Sequence, residues 1–352
     1  DGRVLSVGGA DQWLPGAQQA LGAPGGARLF NPADDSLTLV KAPLNPRHLY
    51  ATLTPLDNGN ALYTGGIDYQ ADPTGAYSAA AQVVDVAADK WNNDGTMTTA
   101  RAHHRAVKLG DGRVLISGGV GPDGGGGTLV LDSTELFAAD GSGNSAGPVL
   151  AQARARHTAT LLDDGTVLMA GGVDNNGNVL DTAEIFDPGT GWLQTLTMSG
   201  PRADARAVAA NGRVYIIGGR DDQGTLDSVD VYDSSSGRFS LLNAPMPGPR
   251  EAFSLARLSD GRSLLVGGFR RGVTLSDGST GMAAVATSVI FDPANGRFLD
   301  IDLPDVDSDQ AFATAAPLAN GNAVVYSGGR EGTTDTGERV FNSADAVLRL
   351  VP

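Results

Sequence analysis

The chain has 352 residues, a formal net charge of −15, 41% hydrophobic residues and no cysteine. The acidic balance disfavours nucleic acid as a partner, because its phosphates would be repelled. The lack of cysteine excludes disulfides, thiolate metal sites and cysteine nucleophiles, and no apolar run approaches the length of about 18 residues that a membrane helix needs. The 49 glycines and 18 prolines are spread among turns, which is typical of a turn-rich all-β protein.

One short segment recurs seven times along the chain as a turn pair, an apolar run and two glycines. The copies are DGRVLSVGG (1–9), NGNALYTGG (58–66), DGRVLISGG (111–119), DGTVLMAGG (164–172), NGRVYIIGG (211–219), DGRSLLVGG (260–268) and NGNAVVYSGG (320–329). A strand-like segment that returns every 50 residues or so (about the length of one blade) indicates a single supersecondary unit repeated along the chain. We therefore expect residues 1–352 to form one repeat domain.

Residues 154–196 show the repeated unit most clearly. The predicted strands are RARHTATLL (154–162), TVLMAGG (166–172), TAEIFDP (182–188) and a fourth that opens at Trp192. The second strand has a nearly continuous apolar run, which is typical of a strand covered on both faces. The third strand ends at Pro188, because proline cannot donate to a strand ladder. Four antiparallel strands per unit with no helical pattern predict a β-propeller.

The unit resembles the Kelch repeat. The shared features are an arginine near its start, a strand ending in Gly-Gly, a third strand such as VDVYD (229–233), and a fourth-strand aromatic: Trp91, Trp192, Phe239 and Phe298. ARHTATLLDDGTVLMAGG (155–172) is similar to Kelch-like proteins of bacterial cell envelopes and to the propeller of galactose-oxidase-like enzymes. The resemblance implies an all-β, seven-bladed β-propeller with four-stranded antiparallel blades. Blade one is incomplete in the visible chain, and we expect a strand upstream of Asp1 to complete it.

Two repeated features have a structural explanation. The glycine pairs suit strand ends that need an unusual backbone conformation; a phosphate loop would need a helix start after them. An arginine also recurs before the first strand of five units, at Arg47, Arg101, Arg154, Arg202 and Arg250. We expect these arginines to pair with third-strand acids and so join neighbouring blades; the acids are Glu135, Glu184, Asp230 and Glu338.

Long loops collect at one end of the blades, because successive turns of an antiparallel blade alternate between its two ends. The long loops are 10–27, 67–80, 120–132 and 269–287, and loops of this length are often functional. Aromatic residues that break the repeat pattern lie in these loops, and counting back from each turn pair places polar residues at the inner-strand starts. The predicted binding residues are Trp13, Tyr69, His104, His157, Asp204, Arg220, Phe269, Arg270 and Arg330.

The sequence gives little support for catalysis or a cofactor. A copper site of the galactose-oxidase type needs a tyrosine cross-linked to a cysteine, and this chain has no cysteine. Asp305, Asp307 and Asp309 resemble the opening of a calcium loop, but Gln310 and Ala316 replace the glycine and glutamate that an EF-hand requires. We predict no catalytic residues and no cofactor, with calcium at these three aspartates as the alternative.

The resemblance and the loops together predict a non-catalytic binding or structural scaffold. We expect a protein partner, no nucleic acid and no membrane span, in the extracellular space or cell envelope of a bacterium. Two alternatives stay open at this point. One is a carbohydrate-active propeller enzyme, an oxidase or an epimerase, and the other is a carbohydrate-binding module.

Overall fold

The computed structural model describes residues 3–7, 12–14, 19–21, 27–40, 48–68, 75–85, 87–88, 90–138, 143–274, 280–285, 287–301, 310–311, 314–318, 323–326, 329–333, 339–343 and 347–350. The chain divides into two compact units. Unit 1 consists mainly of Arg3–Gly9 and Ala23–Thr197, and unit 2 mainly of Ala10–Gly22 and Met198–Pro352. Over the described ranges every regular element is a β-strand, so none contains a helix long and apolar enough to cross a membrane.

Unit 1 contains three complete blades of four antiparallel strands. Blade A is β6-β7-β10-β11, blade B is β12-β13-β16-β17 and blade C is β18-β19-β20-β21; β1-β4-β5 form a three-stranded sheet, and β8-β9 and β14-β15 are hairpins. The bounds are β1 (Val4–Val7), β4 (Ala27–Asn31), β5 (Ser36–Val40), β6 (Thr52–Pro55), β7 (Ala61–Thr64), β8 (Ile67–Asp68), β9 (Ala76–Tyr77), β10 (Ala80–Asp85), β11 (Lys90–Thr96), β12 (Arg105–Lys108), β13 (Val114–Ser117), β14 (Val120–Pro122), β15 (Thr128–Val130), β16 (Thr134–Phe137), β17 (Asn144–Ala146), β18 (Thr158–Leu161), β19 (Val167–Ala170), β20 (Thr182–Asp187) and β21 (Trp192–Thr197).

Unit 2 contains two complete blades. Blade D is β22-β23-β24-β25 and blade E is β26-β27-β30-β31, with the hairpin β28-β29; the other sheets are β33-β34-β37 and β3-β2-β36-β35-β32. The bounds are β2 (Gln12–Leu14), β3 (Gln19–Leu21), β22 (Arg206–Ala210), β23 (Arg213–Ile217), β24 (Val229–Asp233), β25 (Arg238–Leu241), β26 (Ser254–Arg257), β27 (Ser263–Val266), β28 (Phe269–Thr274), β29 (Thr280–Ala284), β30 (Ser288–Asp292), β31 (Arg297–Ile301), β32 (Gln310–Ala311), β33 (Thr314–Pro317), β34 (Ala323–Tyr326), β35 (Gly329–Thr333), β36 (Arg339–Ser343) and β37 (Val347–Leu350).

The predicted number of seven four-stranded blades is wrong. Among the described residues five blades are complete, three in unit 1 and two in unit 2. The first sheet has three strands, as an incomplete first blade requires. The last predicted blade fails for a different reason: the segment expected as its third strand forms β36, which pairs with β35 and β2, while β37 pairs directly with β34.

The cores lie between neighbouring blades. The second strands of blades A, B, C and E are buried along their whole length, and that of blade D is buried except at Arg213, which confirms their prediction as strands covered on both faces. In unit 1 Phe137 of blade B belongs to one cluster with Leu62 and Val83 of blade A. In unit 2 Tyr215 of blade D contacts Phe291 of blade E edge to face, with ring centroids 5.0 Å apart. Within each unit, neighbouring blades therefore share a core.

The paired glycines end the second strands because two carbonyl groups approach them. Gly118 and Gly119 both have positive φ, +58° and +102°. A Cβ at Gly118 would collide with the carbonyl oxygen of Arg154, and one at Gly119 would lie 2.6 Å from that of Ala102. The pair therefore allows the backbones of adjacent blades to meet, which confirms its predicted structural role.

Candidate functional site

Buried arginines join the blades at the end where the second and third strands of each blade are connected. We call this the long-loop end, and the opposite end the short-turn end. Arg154 has no exposed surface. Its Nη1 donates to the carbonyls of Gly171 (2.7 Å) and Thr182 (3.0 Å), and its Nη2 to Glu184 Oε1 (2.9 Å), all in blade C. Burial lowers the pKa of Arg154, while the charge and hydrogen bond of Glu184 raise it.

Arg101 repeats this arrangement in blade B. Its Nη1 donates to the carbonyls of Gly118 (2.8 Å) and Ser133 (3.0 Å), and its Nη2 to Glu135 Oε1 (2.8 Å). Glu135 also accepts hydrogen bonds from the backbone nitrogens of Thr98 and Thr99, at 2.7 and 3.1 Å. The carboxylate thus fixes the segment that leads to the arginine as well as the arginine itself.

The carbonyl groups of the same arginines reach the preceding blade. The nitrogen of Gly66 donates to Arg101 O (2.8 Å), that of Gly119 to Arg154 O (2.9 Å) and that of Gly219 to Arg250 O (2.9 Å). These three arginines therefore hold their own blade through the side chain and the blade before it through the backbone. The prediction that the repeated arginines join neighbouring blades is confirmed for these three.

Two arginines depart from the predicted acid pairing. Asp230 is one methylene shorter than glutamate and accepts from the nitrogen and hydroxyl of Ser199, at 2.9 and 2.8 Å. Arg202 therefore donates to carbonyls instead, including that of Gly218 at 3.1 Å. Arg250 donates to the carbonyl and hydroxyl of Thr287, both at 2.8 Å, and its burial lowers its pKa to about 10. Arg47 and Glu338 lie outside the described residues. Before blade A, the position of the arginine is occupied by His48. The residue after it, Leu49, forms a β-bridge with Ile67, just as Ala102 after Arg101 forms one with Val120.

The predicted binding residues His104 and His157 lie inside the packing between blades of unit 1. Each is 1% exposed. The Nε2 of His104 is 3.0 Å from Thr64 Oγ1, and that of His157 is 2.9 Å from Ser117 Oγ. Burial, and after it the neighbouring arginines, hold the pKa of both rings well below the usual value. The structure therefore places both histidines in the interior and not on a surface that a partner touches.

These histidines make stability depend on pH. The unfolded chain binds protons at both rings below a pH of about 6.5, whereas the folded chain stays neutral there. The free energy of unfolding is therefore expected to fall with decreasing pH from 7.5 toward 5, by up to about 1.4 kcal/mol per pH unit for each histidine. Thermal unfolding of His157→Gln across that range should show a shallower slope than the parent chain. Asn176→Gln, at an exposed side chain that does not titrate, is the control and should keep the parent slope.

Five residues with a left-handed backbone mark equivalent points of the five blades. They are Tyr50, His103, Arg156, Asp204 and Ala252, with φ between +52° and +60°. Backbone hydrogen bonds connect neighbours in this row: His103 N donates to Tyr50 O (3.1 Å) and Arg156 N to His103 O (3.0 Å) in unit 1, and Ala252 N to Asp204 O (2.9 Å) in unit 2. The rings of Tyr50 and His103 stack with centroids 3.9 Å apart. Sequence analysis missed this row of residues.

Asp204 belongs to this row. The prediction from the sequence that Asp204 is the equivalent of His104 is therefore wrong. The turn before β23 is shorter than in other blades, so counting back from its glycine gives a position one residue too early. Ala205 is the true equivalent, because its Cβ faces Gly219 as the Cβ of His104 faces Gly119. Counting two residues forward from each repeated arginine would have identified the row in four blades.

The remaining predicted residues are placed differently from one another. Phe269 is 3% exposed and packs against Ala252, Met282 and Ala284, so it forms the small core of the β28-β29 hairpin; Arg270 next to it is exposed. Trp13 and Arg330 lie in β2 and β35 of one sheet.

Tyr69 and the calcium candidates Asp305, Asp307 and Asp309 lie outside the described residues. Within the described ranges no group of three or more His, Cys, Asp or Glu side chains is arranged to hold a metal ion.

One charged cluster forms at the long-loop end of unit 2. Arg220 Nε lies 3.3 Å from Asp204 Oδ2 and 3.7 Å from Glu251 Oε2, while Arg271 Nε lies 2.6 Å from Glu251 Oε1. Glu251 is 1% exposed, and burial raises its pKa although Arg271 opposes that rise. We call these four residues the Glu251 cluster. It joins blade D to blade E and leaves charged groups at their surface.

Half of this cluster was predicted from the sequence. Asp204 and Arg220 were among the predicted binding residues, and Glu251 and Arg271 were not. A signal was available in the residue that follows the repeated arginine. It is Ala102, Ala155 or Ala203 in blades B, C and D, and Leu49 stands at the equivalent position of blade A, whereas blade E has a glutamate. A carboxylate at a position that is otherwise apolar indicates a function that is specific to this blade.

The sequence resembles known Kelch proteins. The Kelch motif matches residues 201–246. Beta-scruin of Limulus polyphemus is 28% identical over 256 residues, 69% of this chain and 27% of its own length. Kelch-like protein 7 of Rattus norvegicus is 32% identical over 73 residues, 20% of this chain and 12% of its own length. The chain thus spans about a quarter or less of these relatives.

The solved structure of YjhT shares the fold, with a TM-score of 0.64 at 16% identity over 86% of this chain and 97% of that one. In sequence the chain is therefore similar to Kelch-repeat proteins, and in fold it is similar to the β-propeller structure of YjhT.

Proposed function

We propose that this chain is a protein-binding scaffold that uses the long-loop ends of its blades. The observation that carries the proposal is the contrast between the two ends of a blade. The hairpins β14-β15 and β28-β29 extend from the long-loop end, with exposed residues at 122–128 and 270–272. At the short-turn end the strands are joined by short connections, such as 188–191 and 234–237.

The buried machinery of the repeat supports a scaffold. The arginines, the carboxylates they bind and the histidines are enclosed between blades, where they hold the blades together and cannot reach a partner. Loops on a rigid framework of this kind commonly carry binding residues. The relatives with Kelch repeats support a protein partner, and the resemblance noted in the sequence analysis extends the proposal to an extracellular or cell-envelope setting.

A pair of turn exchanges tests the proposal. In the long-loop variant, 123–127 of the β14-β15 hairpin is replaced by Asn-Gly, a two-residue hairpin turn. In the matched control, 234–237 between β24 and β25 receives the same Asn-Gly. Quantitative capture of proteins on the immobilised full chain should fall with the first exchange and persist with the second.

Two results would contradict the scaffold proposal. One is the retention of every captured protein by the long-loop variant together with loss in the control. The other is specific binding on a glycan array with no specific protein capture, which would favour a carbohydrate-binding module. Circular dichroism on both variants verifies that each exchange leaves the fold in place.

A further inference from the structure

The two arginines of the Glu251 cluster are held in a way that leaves their outer nitrogens available. Arg271 is bound through Nε to Glu251, and Arg220 through Nε to Asp204. In the part of unit 2 that the structure describes, the Nη atoms of both have no protein acceptor. Their side chains are 40% and 19% exposed. A guanidinium fixed through Nε still offers Nη donors, and these can bind a carboxylate at two points.

Glu251 adds a second, independent observation. Its Oε1 accepts from Arg271 at 2.6 Å, but its Oε2 is buried and accepts no hydrogen bond from the described residues. Arg220 Nε, at 3.7 Å, is beyond hydrogen-bonding distance of that oxygen. Oε2 is nevertheless within ion-pair distance of Arg220, so the buried carboxylate attracts both guanidinium groups from their Nε side and leaves their Nη atoms directed away from it.

We propose that the Glu251 cluster is a recognition site for an acidic side chain of a protein partner, with Arg220 and Arg271 as donors to its carboxylate. Glu251 takes no part in this contact itself, because it is buried, and it serves to hold Arg271 in place. This inference rests on the proposed scaffold function and names the chemistry of the partner at one long-loop end.

The surrounding charges are compatible with such a ligand. Arg270 is exposed on the same strand as Arg271, and Arg206 interacts electrostatically with Asp204. The adjoining turn carries Asp221 and Asp222, and Asp221 Oδ1 is already used by the nitrogens of Gln223 and Gly224, at 2.8 and 2.9 Å. The charges of Arg206, Arg220, Arg270 and Arg271 thus offset those of the nearby acidic residues. The chain as a whole has a net charge of −15, which would otherwise repel an acidic partner.

A displayed library of random 12-residue peptides, selected on the full chain, tests the assignment. We expect the enriched peptides to contain Asp or Glu, and Arg271→Gln to weaken them about tenfold or more, the effect of losing hydrogen bonds to a charged group. Arg220→Gln should act in the same direction. Arg262→Gln is the matched control, because Arg262 has similar exposure, 32%, and an ion pair with Asp260 at the short-turn end. It should leave binding unchanged.

The outcomes separate this inference from the scaffold proposal. Enriched peptides without acids, or peptides indifferent to both arginine variants, would overturn the acidic-partner assignment while leaving a protein-binding scaffold in place. Displacement by free glutamate as efficiently as by the peptide would also overturn it, since the site would then bind any small carboxylate. Selection of no peptide, with no capture in the turn-exchange experiment, would count against both proposals.

Discussion

Replacing Arg154 by alanine is expected to lower the free energy of unfolding of the region around blade C by about 3–5 kcal/mol, the cost of breaking a buried ion pair. The reason is that Glu184, which is fully buried, would lose its cationic partner. The substitution also removes the donors to the carbonyls of Gly171 and Thr182. Urea unfolding followed by circular dichroism measures the change, and the thermal midpoint should fall with it.

The control is an exposed ion pair in the same unit. Arg113 lies 2.7 Å from Asp111, and its side chain is 36% exposed, so Arg113→Ala should cost only about 0–1 kcal/mol. The double variant Arg154→Ala/Glu184→Ala should be less destabilised than the sum of its single variants, because neither charge is then left alone. Equal effects of Arg154→Ala and Arg113→Ala would show that the buried arginine does not hold the blades together.

Alanine at Gly118 is the second substitution expected to have a large effect. Its Cβ would collide with the carbonyl of Arg154 and lie 3.1 Å from the ring of His157, so the two blades must separate locally. Overpacking of this kind costs about 1–3 kcal/mol, and a left-handed backbone with a side chain adds about 1–2 kcal/mol. We expect a combined loss of about 2–5 kcal/mol, measured by the same urea unfolding.

Gly124→Ala separates the two contributions. Gly124 also has positive φ, +78°, but a Cβ there would meet nothing within 4 Å. Its substitution should therefore cost only the backbone contribution of about 1–2 kcal/mol. If both variants lost the same stability, the close approach of Arg154 to Gly118 would have no energetic consequence.

The repeat predicted the blades well because its signals are local. The apolar run of Val167–Ala170, the following glycines and the turn residues all favour the same strand and the same ends. The blade number could not be predicted in this way. Whether the segment that contains Arg339–Ser343 pairs with β34 or with β2 depends on partners distant in sequence, and its own residues suit either pairing.

The candidate site was predicted less well, since residue type does not reveal burial. His104 and His157 looked like ligands or surface contacts, yet they fill space beside the glycines of the neighbouring blades. Phe269 looked like a contact residue and forms a hairpin core. Glu251 was not predicted because the repeated units were compared for the residues that they share. Glu251 differs from the residue at that position in the other units.

Site-specific photo-crosslinking tests the central claim, binding at the long-loop ends, most directly. A photoreactive residue is introduced singly at exposed positions of the two ends, and covalent protein adducts are counted by mass spectrometry. The long-loop positions are Asp123, Asn176 and Arg270, and the short-turn positions are Thr190, Ser235 and Asn295. Protein adducts should form from the long-loop positions and not from the short-turn positions. Adducts confined to the short-turn positions would contradict the account.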